Sequence, residues 1–466
     1  MREPFIGRTE ELKLLETAFE AKSSALIPIY GRRRVGKSEL ILRFLAGKRA
    51  IYFVGKRAPP VLQIREFLQS AAAILEEPLL ASVPSHDWAT AFRMVYSRWP
   101  KGKTLVIAMD EFQWTAEASR ELPSVLQELW DREWAKSRNV LLILCGSYIG
   151  FMERHVLGKT SPLFGRRTAQ ILLKPFGFQE AAAFHPAWSH AEQARAYFIC
   201  GGIPLYLRLF APRDSVEMNV AAMLLNEFAP LYREPDFLLR EELRDVENYY
   251  AILLSIAAGQ HAHSGIAQQT GINERSLHYY LQQLINLGYL SRRYPLTTRK
   301  ATARQVHFAL DDPLLRFWFR FVYPHVSLIA QMGAERAMRE LVRRDLEAYF
   351  GSCFERLCRE ALPLIYSRDG MTAPFHVGEY WDKKVQIDVV GLRGDKWIDL
   401  AECKWGDRPS PSALAAELEE KVLQYPNPSN ATIQRHIFTR QALRKPDALP
   451  DTVRWHTLQD LYRLGR

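Results

Sequence analysis

Ile27-Pro28-Ile29-Tyr30-Gly31-Arg32-Arg33-Arg34-Val35-Gly36-Lys37-Ser38-Glu39-Leu40 decides the reading of this chain. An apolar run passes into G-x-x-x-x-G-K-S and then into a helical pattern, which is the order of elements in a phosphate-binding loop. Gly31 and Gly36 let the backbone curl so that successive N–H groups face phosphate oxygens at a helix N-terminus. Lys37 is placed to reach the terminal phosphates, and the Ser38 hydroxyl to ligate Mg²⁺. Gly31, Arg34, Val35, Gly36, Lys37, Ser38 and Glu39 are therefore the expected nucleotide cradle, with ATP and Mg²⁺ as the expected cofactors.

Two later apolar strands carry fitting chemistry at their ends. Thr104 to Glu111 reads as a buried strand that stops in two carboxylates. About 70 residues after a phosphate loop, Asp110 is expected to help hold Mg²⁺ and Glu111 to polarise the attacking water. Val140 to Ser147 is a further strand, and Ser147 at its end is placed to sense the terminal phosphate. Arg166 and Arg167 follow a glycine turn, where one of them can reach nucleotide phosphates in cis or from a neighbouring subunit. A solvated pair of loop arginines is the plainer alternative.

Composition bounds the rest. A chain of 466 residues with 48% hydrophobic content supports two to four packed domains and excludes disorder. A net charge of +10 favours a polyanionic partner. The five cysteines are few and scattered, so a reduced, cytoplasmic setting is expected. Met1-Arg2-Glu3-Pro4 shows no apolar signal core, and no run reaches the length of a membrane span, so no membrane partner is expected.

At this point a resemblance is evident. Phe5-Ile6-Gly7-Arg8 with Glu10-Glu11-Leu12 looks like the adenine-side box of AAA+-like ATPases. Tyr30 to Lys37, Asp110-Glu111-Phe112-Gln113 and Gly201-Gly202-Ile203-Pro204 resemble the prokaryotic "archaeal ATPase" family, a branch of the STAND NTPases. The resemblance spans about the first 325 residues. It implies an α/β P-loop NTPase core with a five-stranded parallel sheet (1–175), a helical lid (176–240) and a winged helix with a connecting helix (241–328). It also places Pro204 beside the adenine. On its own chemistry, the Gly-Gly-x-Pro stretch ends one helix and starts the next.

Residues 249–290 show helical apolar spacing, and Thr270-Gly271-Ile272-Asn273 forms a tight turn with Asn273 as N-cap. That spacing leaves Arg275, Ser276, His278, Tyr279 and Gln282 facing outward. Arg292, Arg293, Arg299, Lys300 and Arg304 then fall in a stretch without acids, the electrostatic footprint of a DNA backbone contact. The alternative is that this basic hairpin meets acidic parts of its own chain. The aromatic run Phe317 to Tyr323 reads as a packing helix rather than a base-stacking platform.

After about residue 329 the chemistry changes. Val385 to Leu392 and Trp397 to Trp405 read as paired strands joined by Gly394-Asp395. They bring Asp388, Glu402 and Lys404 together, a set able to hold Mg²⁺ and orient a water on a phosphate. The Cys403 carbonyl is a further oxygen ligand. Glu355 lies upstream on a largely apolar helix. In this order the residues resemble the PD-(D/E)xK nuclease superfamily, without the proline before Asp388. They also resemble an uncharacterised C-terminal family fused to the same ATPases. The resemblance implies a restriction-endonuclease-like α/β domain over 329–466, with Asp388, Glu402, Lys404 and Glu355 catalytic and Asp388, Glu402 and Cys403 at the metal. Lys421, Gln424 and Tyr425 are further candidates for phosphate contact.

The expected function is an ATP-driven switch that governs a metal-dependent DNA nuclease, activated by an unidentified partner and able to self-assemble if an arginine acts in trans. Strand-borne carboxylate–lysine pairs also occur as plain salt bridges, so a non-nucleolytic ATPase that docks DNA or a protein stands beside it. A toxin-like effector is the third reading.

Overall fold

The computed structural model describes residues 5–297, 302, 305–406, 410–441 and 452–464. Contacts divide the chain into two compact units: Met1–Phe176 with Ile203–Leu205, and Gly177–Gly202 with Tyr206–Arg466. The segments expected at 176–240, 241–328 and 329–466 thus fall, but for Phe176 and Ile203–Leu205, within one unit.

The first unit is a five-stranded parallel sheet in the order β2-β3-β4-β1-β5. Its strands are β1 (Ala25–Tyr30), β2 (Ile51–Val54), β3 (Leu105–Asp110), β4 (Val140–Gly146) and β5 (Ile171–Leu172). Every residue of β1, β3 and β4 is buried. Their unbroken apolar runs follow from that, because helices cover both faces of a parallel sheet. On one face Phe53, Phe67, Trp88, Phe92 and Trp134 pack edge-on and stacked with centroids 5.0–6.0 Å apart. Register sets Tyr30 beside Gly146 and Val54 beside Asp110, so the strands end together at one edge of the sheet.

In the second unit, helices Val246–Ala257, His263–Thr270 and Glu274–Asn286 precede an antiparallel pair, β6 (Leu290–Arg293) and β7 (His307–Leu310). Asn273 caps the third helix by accepting from the Ser276 N–H, and Leu277, Leu281 and Leu284 form its buried stripe. Phe317, Trp318, Phe319 and Phe321 are all buried, as expected of a packing helix.

A 26-residue helix, Arg343–Arg368, then lies on a mixed sheet ordered β12-β11-β10-β9-β8. The strands are β8 (Phe375–Trp381), β9 (Gln386–Arg393), β10 (Trp397–Lys404), β11 (Thr432–Thr439) and β12 (Val453–Thr457). β8, β9 and β10 pair antiparallel, whereas β10, β11 and β12 pair parallel. A Cβ at Gly391 would lie 2.1 Å from the Tyr366 hydroxyl, so glycine is required where the long helix crosses β9. Helix Pro411–Gln424 packs through Leu414, Leu418 and Val422 into the sheet's core of Ile398, Leu400 and Ile437. The edge strand β8 does not stay open: Leu296 N–H donates to the Glu379 carbonyl at 2.7 Å, and Pro295 bridges Glu379. Among the described residues, no helix is long and apolar enough to cross a membrane.

A polar chain is buried within this sheet. Tyr366 donates to Asp399 at 2.7 Å, His436 Nε2 lies 2.8 Å from the other Asp399 oxygen, and His436 Nδ1 lies 2.9 Å from His456 Nε2. Burial, with His436 adjacent, pushes His456 down to about 3. The folded state therefore keeps it neutral, while the unfolded chain takes up a proton near the ordinary histidine value. Stability held above that value is lost as pH falls toward 3. Between pH 7 and pH 5 this group alone should remove about 2 kcal/mol. Urea unfolding at both pH values should show a smaller drop for His456→Gln than for wild type, and equal drops would refute the assignment.

Candidate functional site

The edge where β1, β3 and β4 end carries the first cluster. Gly31 leaves β1 at φ +154°, and a Cβ there would sit 2.2 Å from the Leu173 carbonyl oxygen, so no other residue fits the turn. Gly36, at φ +92°, begins the helix Lys37–Leu45. Arg8 secures the loop from outside: its guanidinium donates to the Val35 and Lys174 carbonyls at 3.2 and 2.7 Å and stacks 3.9 Å from the Phe176 ring. Lys37 is buried, and its ammonium donates to the Gly31 and Arg32 carbonyls at 3.0 and 2.8 Å. Burial pushes it below the ordinary lysine value.

Asp110, 2% exposed at the end of β3, accepts from the Tyr52 hydroxyl at 2.7 Å and from the Glu111 N–H at 2.9 Å. Burial and then Asp110 push the Tyr52 phenol up, so it remains a donor; the same hydroxyl interacts with Ser38. Glu111 occupies the left-handed region at φ +49°, uncommon for a side-chain-bearing residue and frequent at functional turns. Its carboxylate accepts from Ser147 at 2.8 Å and from the Gln113 amide, which also donates to Ser147 at 3.1 Å. Gly146 makes room for that amide, since a Cβ there would lie 2.9 Å from Gln113 Oε1. The structure thus gathers Lys37, Ser38, Asp110, Glu111 and Ser147. Tyr52, which no motif announces, and Gln113, the last residue of the quoted Asp110-Glu111-Phe112-Gln113 string, complete the set. Pro204 opens the helix Pro204–Leu209 and lies beside the loop, with its Cγ 3.8 Å from where a Gly36 Cβ would be.

Arg166 and Arg167 do not join this cluster. Arg166 is bidentate to Asp131 at 2.8 and 2.7 Å and also donates to the Pro162 and Phe164 carbonyls. Arg167 donates to the Leu157 carbonyl, and Thr168 N–H to Leu26 near the start of β1. The bidentate Asp131 pair corrects the contact in cis expected of Arg166, whereas the Arg167 charge is felt by Tyr30 at the end of β1.

The second cluster forms where β9 and β10 diverge. Asp388, next to Val389 in the last pair of the ladder, accepts at 3.0 Å from the N–H of Cys403, two residues past its partner Ala401. In an extended strand the N–H and C=O of one residue face the same side, so the Cys403 carbonyl faces this fork too. Glu402 is 2% exposed, and its two oxygens lie 3.0 Å from Lys404 and 2.5 Å from Lys421. Burial opposes these ammoniums, but Glu402 holds both above the ordinary lysine value. Burial and then Glu402 push Asp388 up to about 6; burial and then Asp388 push Glu355 up to about 8. Glu355, Asp388 and Glu402 therefore share one field. Among the described residues, no three His, Cys, Asp or Glu side chains group closely enough to hold a metal unaided. Mg²⁺ commonly takes only one or two carboxylates and completes its shell with waters and phosphate oxygens, and this donor set fits that habit. Lys421 belongs to the cluster. Tyr425 does not, because its hydroxyl donates to the Leu296 carbonyl at 2.9 Å; Gln424 is exposed.

The basic hairpin differs from expectation. Arg293 pairs with Asp311 at 2.8 Å and with Glu379 at 3.3 Å, which are carboxylates of its own chain. Arg292 donates to Gln282 at 2.8 Å. Arg275, His278 and Tyr279 are exposed on the third helix, while Ser276 and Gln282 are half-buried. Arg299, Lys300 and Arg304 lie outside the described residues. All five cysteines are free and buried.

The profile of an ATPase domain predominantly from Archaea matches residues 5–210. A family of archaeal and bacterial proteins of unknown function matches residues 318–420. An uncharacterized protein of Methanocaldococcus jannaschii is 27% identical over 405 residues, covering 86% of this chain and 88% of its own. An uncharacterized ATP-binding protein of the same organism is 49% identical over 45 residues, which is 10% of this chain and 76% of its own. Among solved structures, the Walker-type ATPase of Pyrococcus abyssi is 20% identical and superposes with a TM-score of 0.52, covering 68% of this chain and 97% of that one; this is a likeness of fold. The phosphate loop between β1 and its helix, the paired acids ending β3, and these matches lead to one statement: the chain carries an archaeal-type P-loop ATPase domain, followed by a separate mixed-sheet domain of which the part up to residue 420 matches archaeal and bacterial proteins of unknown function.

Proposed function

We propose that this protein is an ATP-hydrolysing switch that governs a metal-dependent nuclease centre in its C-terminal sheet. The ATPase half of the reading is carried by one observation: Glu111 and Asp110 stand at the strand end beside Lys37 and Ser38. Lys37 would exchange the carbonyls of Gly31 and Arg32 for nucleotide phosphates, and Ser38 with Asp110 would hold Mg²⁺. Glu111, held by Ser147 and Gln113, is the base that would orient the attacking water; a change in that hold would report the terminal phosphate to the rest of the chain. Pro204, on the lid stretch, supports the adenine-side reading through its place beside the loop.

In the C-terminal sheet, Asp388, Glu402 and the Cys403 carbonyl would ligate Mg²⁺, which supplies Lewis-acid polarisation of a phosphoryl oxygen. Lys404, adjacent to Glu402, would hold the attacking water, and Glu355 would keep or release a proton beside Asp388. The mixed order β12-β11-β10-β9-β8, with acids at a strand fork, supports the nuclease-like reading. Three helices and an antiparallel hairpin support a winged helix whose DNA-facing residues are Arg275, His278 and Tyr279.

A second reading rests on a specific observation. Both oxygens of Glu402 already have lysine partners, and Arg293 already has carboxylate partners. A non-nucleolytic regulator would need no more than this internal pairing.

Two measurements test the proposal. Tyr52→Phe removes only the hydroxyl between Ser38 and Asp110. The Mg²⁺ concentration for half-maximal ATP hydrolysis should rise about 10–100-fold; an unchanged requirement would exclude Tyr52 from the site. With plasmid and single-stranded DNA, Mg²⁺ or Mn²⁺, and with or without ATP, wild type should cleave, and Asp388→Ala and Lys404→Ala should fall about 100-fold or more. A shared background in all three would leave the regulator as the reading that stands.

A further inference from the structure

Two cavities in the second unit, of about 830 and 540 Å³, share Arg293, Arg316, Arg356 and Arg359 in their walls. The four arginines come from β6, from helix Pro313–Phe317 and from the long helix Arg343–Arg368. Their charge is not balanced within the chamber. Asp311 pairs with Arg293 at 2.8 Å and Arg356 at 3.2 Å, and Glu379 pairs with Arg293 and Arg359 at 3.3 Å each. Two carboxylates therefore serve three guanidiniums. Arg316 meets neutral oxygens, Tyr349 Oη at 3.4 Å and the Leu310 carbonyl at 3.5 Å. Of the other acids in the walls, Glu360 accepts from the Tyr197 hydroxyl at 2.8 Å and Asp345 is exposed; among the described residues neither forms an ion pair with these four guanidiniums. Burial first, then Arg316 and Arg293, push the Arg356 guanidinium down to about 9, against the pull of Asp311.

Along the same wall His307 and Trp381 stack with centroids 4.4 Å apart and planes 11° from parallel, and both are half-buried. Guanidiniums in excess of carboxylates select phosphate, and a broad π-face selects a nucleobase. The chamber volumes fall within the roughly 300–1,000 Å³ of small-ligand sites. We propose that this chamber binds a nucleotide unit, its phosphate on Arg293, Arg316, Arg356 and Arg359 and its base against the His307–Trp381 pair. The unit is either a free mononucleotide or one residue of a nucleic-acid strand; the chemistry is common to both. The chamber wall includes Glu355 and Arg359, which donates to the Asp388 carbonyl, so it borders the fork; binding read with cleavage prevented does not depend on whether Asp388, Glu402 or Lys404 is catalytic.

Calorimetric titration of the full chain tests it. Lys37→Ala silences the phosphate loop, and EDTA prevents cleavage. The probes are AMP and a 5′-phosphorylated thymidine hexamer. At least one should bind at one site per chain: AMP if the source is a free nucleotide, the hexamer alone if it is a strand. Arg316→Met leaves no carboxylate without its partner, and it should weaken binding about tenfold, the scale of one charge-assisted hydrogen bond. Arg320→Glu, at an exposed position on the same wall, should weaken it about threefold without touching the fold. Absence of binding by both probes overturns the proposal. Binding that is unchanged in Arg320→Glu overturns it as well, because the ligand then sits elsewhere, and this holds even if Arg316→Met fails to fold.

Discussion

Register among β1, β3 and β4 is the constraint on which the first unit depends. These strands are buried on both faces, and Tyr30, Asp110 and Gly146 reach the same edge together. A slip of one residue would turn each strand's side chains to the opposite face and carry Asp110 away from Lys37. The carboxylate at that edge is 2% exposed and would be costly if left alone. Tyr52 and the Glu111 N–H satisfy it with neutral donors, which hold the anion in place without cancelling its charge. A site proposed to accept a cation would need that kind of hold.

The fork of β9 and β10 is built by the opposite device. Ladder pairing stops at Ala401 and Val389, and the Asp388 side chain takes over as acceptor for the next N–H. Glu402 is met by cations, Lys404 and Lys421, while burial and then Glu402 make Asp388 hold its proton more tightly, and burial and then Asp388 do the same to Glu355. Lysines and protons thus do at this fork what hydroxyl and amide groups do at the phosphate loop. A cation entering the fork must displace some of that positive charge. That requirement makes the cluster sensitive to any motion of helix Pro411–Gln424, which carries Lys421.

What could be read in the sequence was what is local in it. The loop from Gly31 to Ser38, the acids at Asp110 and Glu111, the Asn273 cap and the strand pair around Asp388 and Glu402 each lie within a dozen or so residues of their own pattern. Their chemistry is set by spacing. Tyr52 was not legible, because its partner lies 58 residues away and a tyrosine in a short strand is ordinary. Arg293 was misread for a related reason. An acid-free stretch looks solvent-facing until Glu379, 86 residues on, is folded against it. Arg166 has a bidentate partner 35 residues earlier that no motif marks. In each case the partner is a carboxylate that arrives only with tertiary structure.

The long helix Arg343–Arg368 joins the fork to the arginine chamber, and helical spacing is the reason. Glu355 and Arg359 are four residues apart on one face, and Arg356 is one position round from Glu355. Arg359 donates to the Asp388 carbonyl at 2.5 Å while pairing with Glu379 in the chamber wall. An anion drawn into the chamber would compete with Glu379 for Arg359 and lower the positive field felt by Glu355. The Glu355 carboxyl, already pushed up, would then hold its proton more tightly still. A cation at the fork acts in the other sense, because it favours the ionised acids and strengthens the pull on any phosphate nearby. Occupancy of one region would therefore change the protonation of the other through a single turn of helix, with no movement of the backbone required.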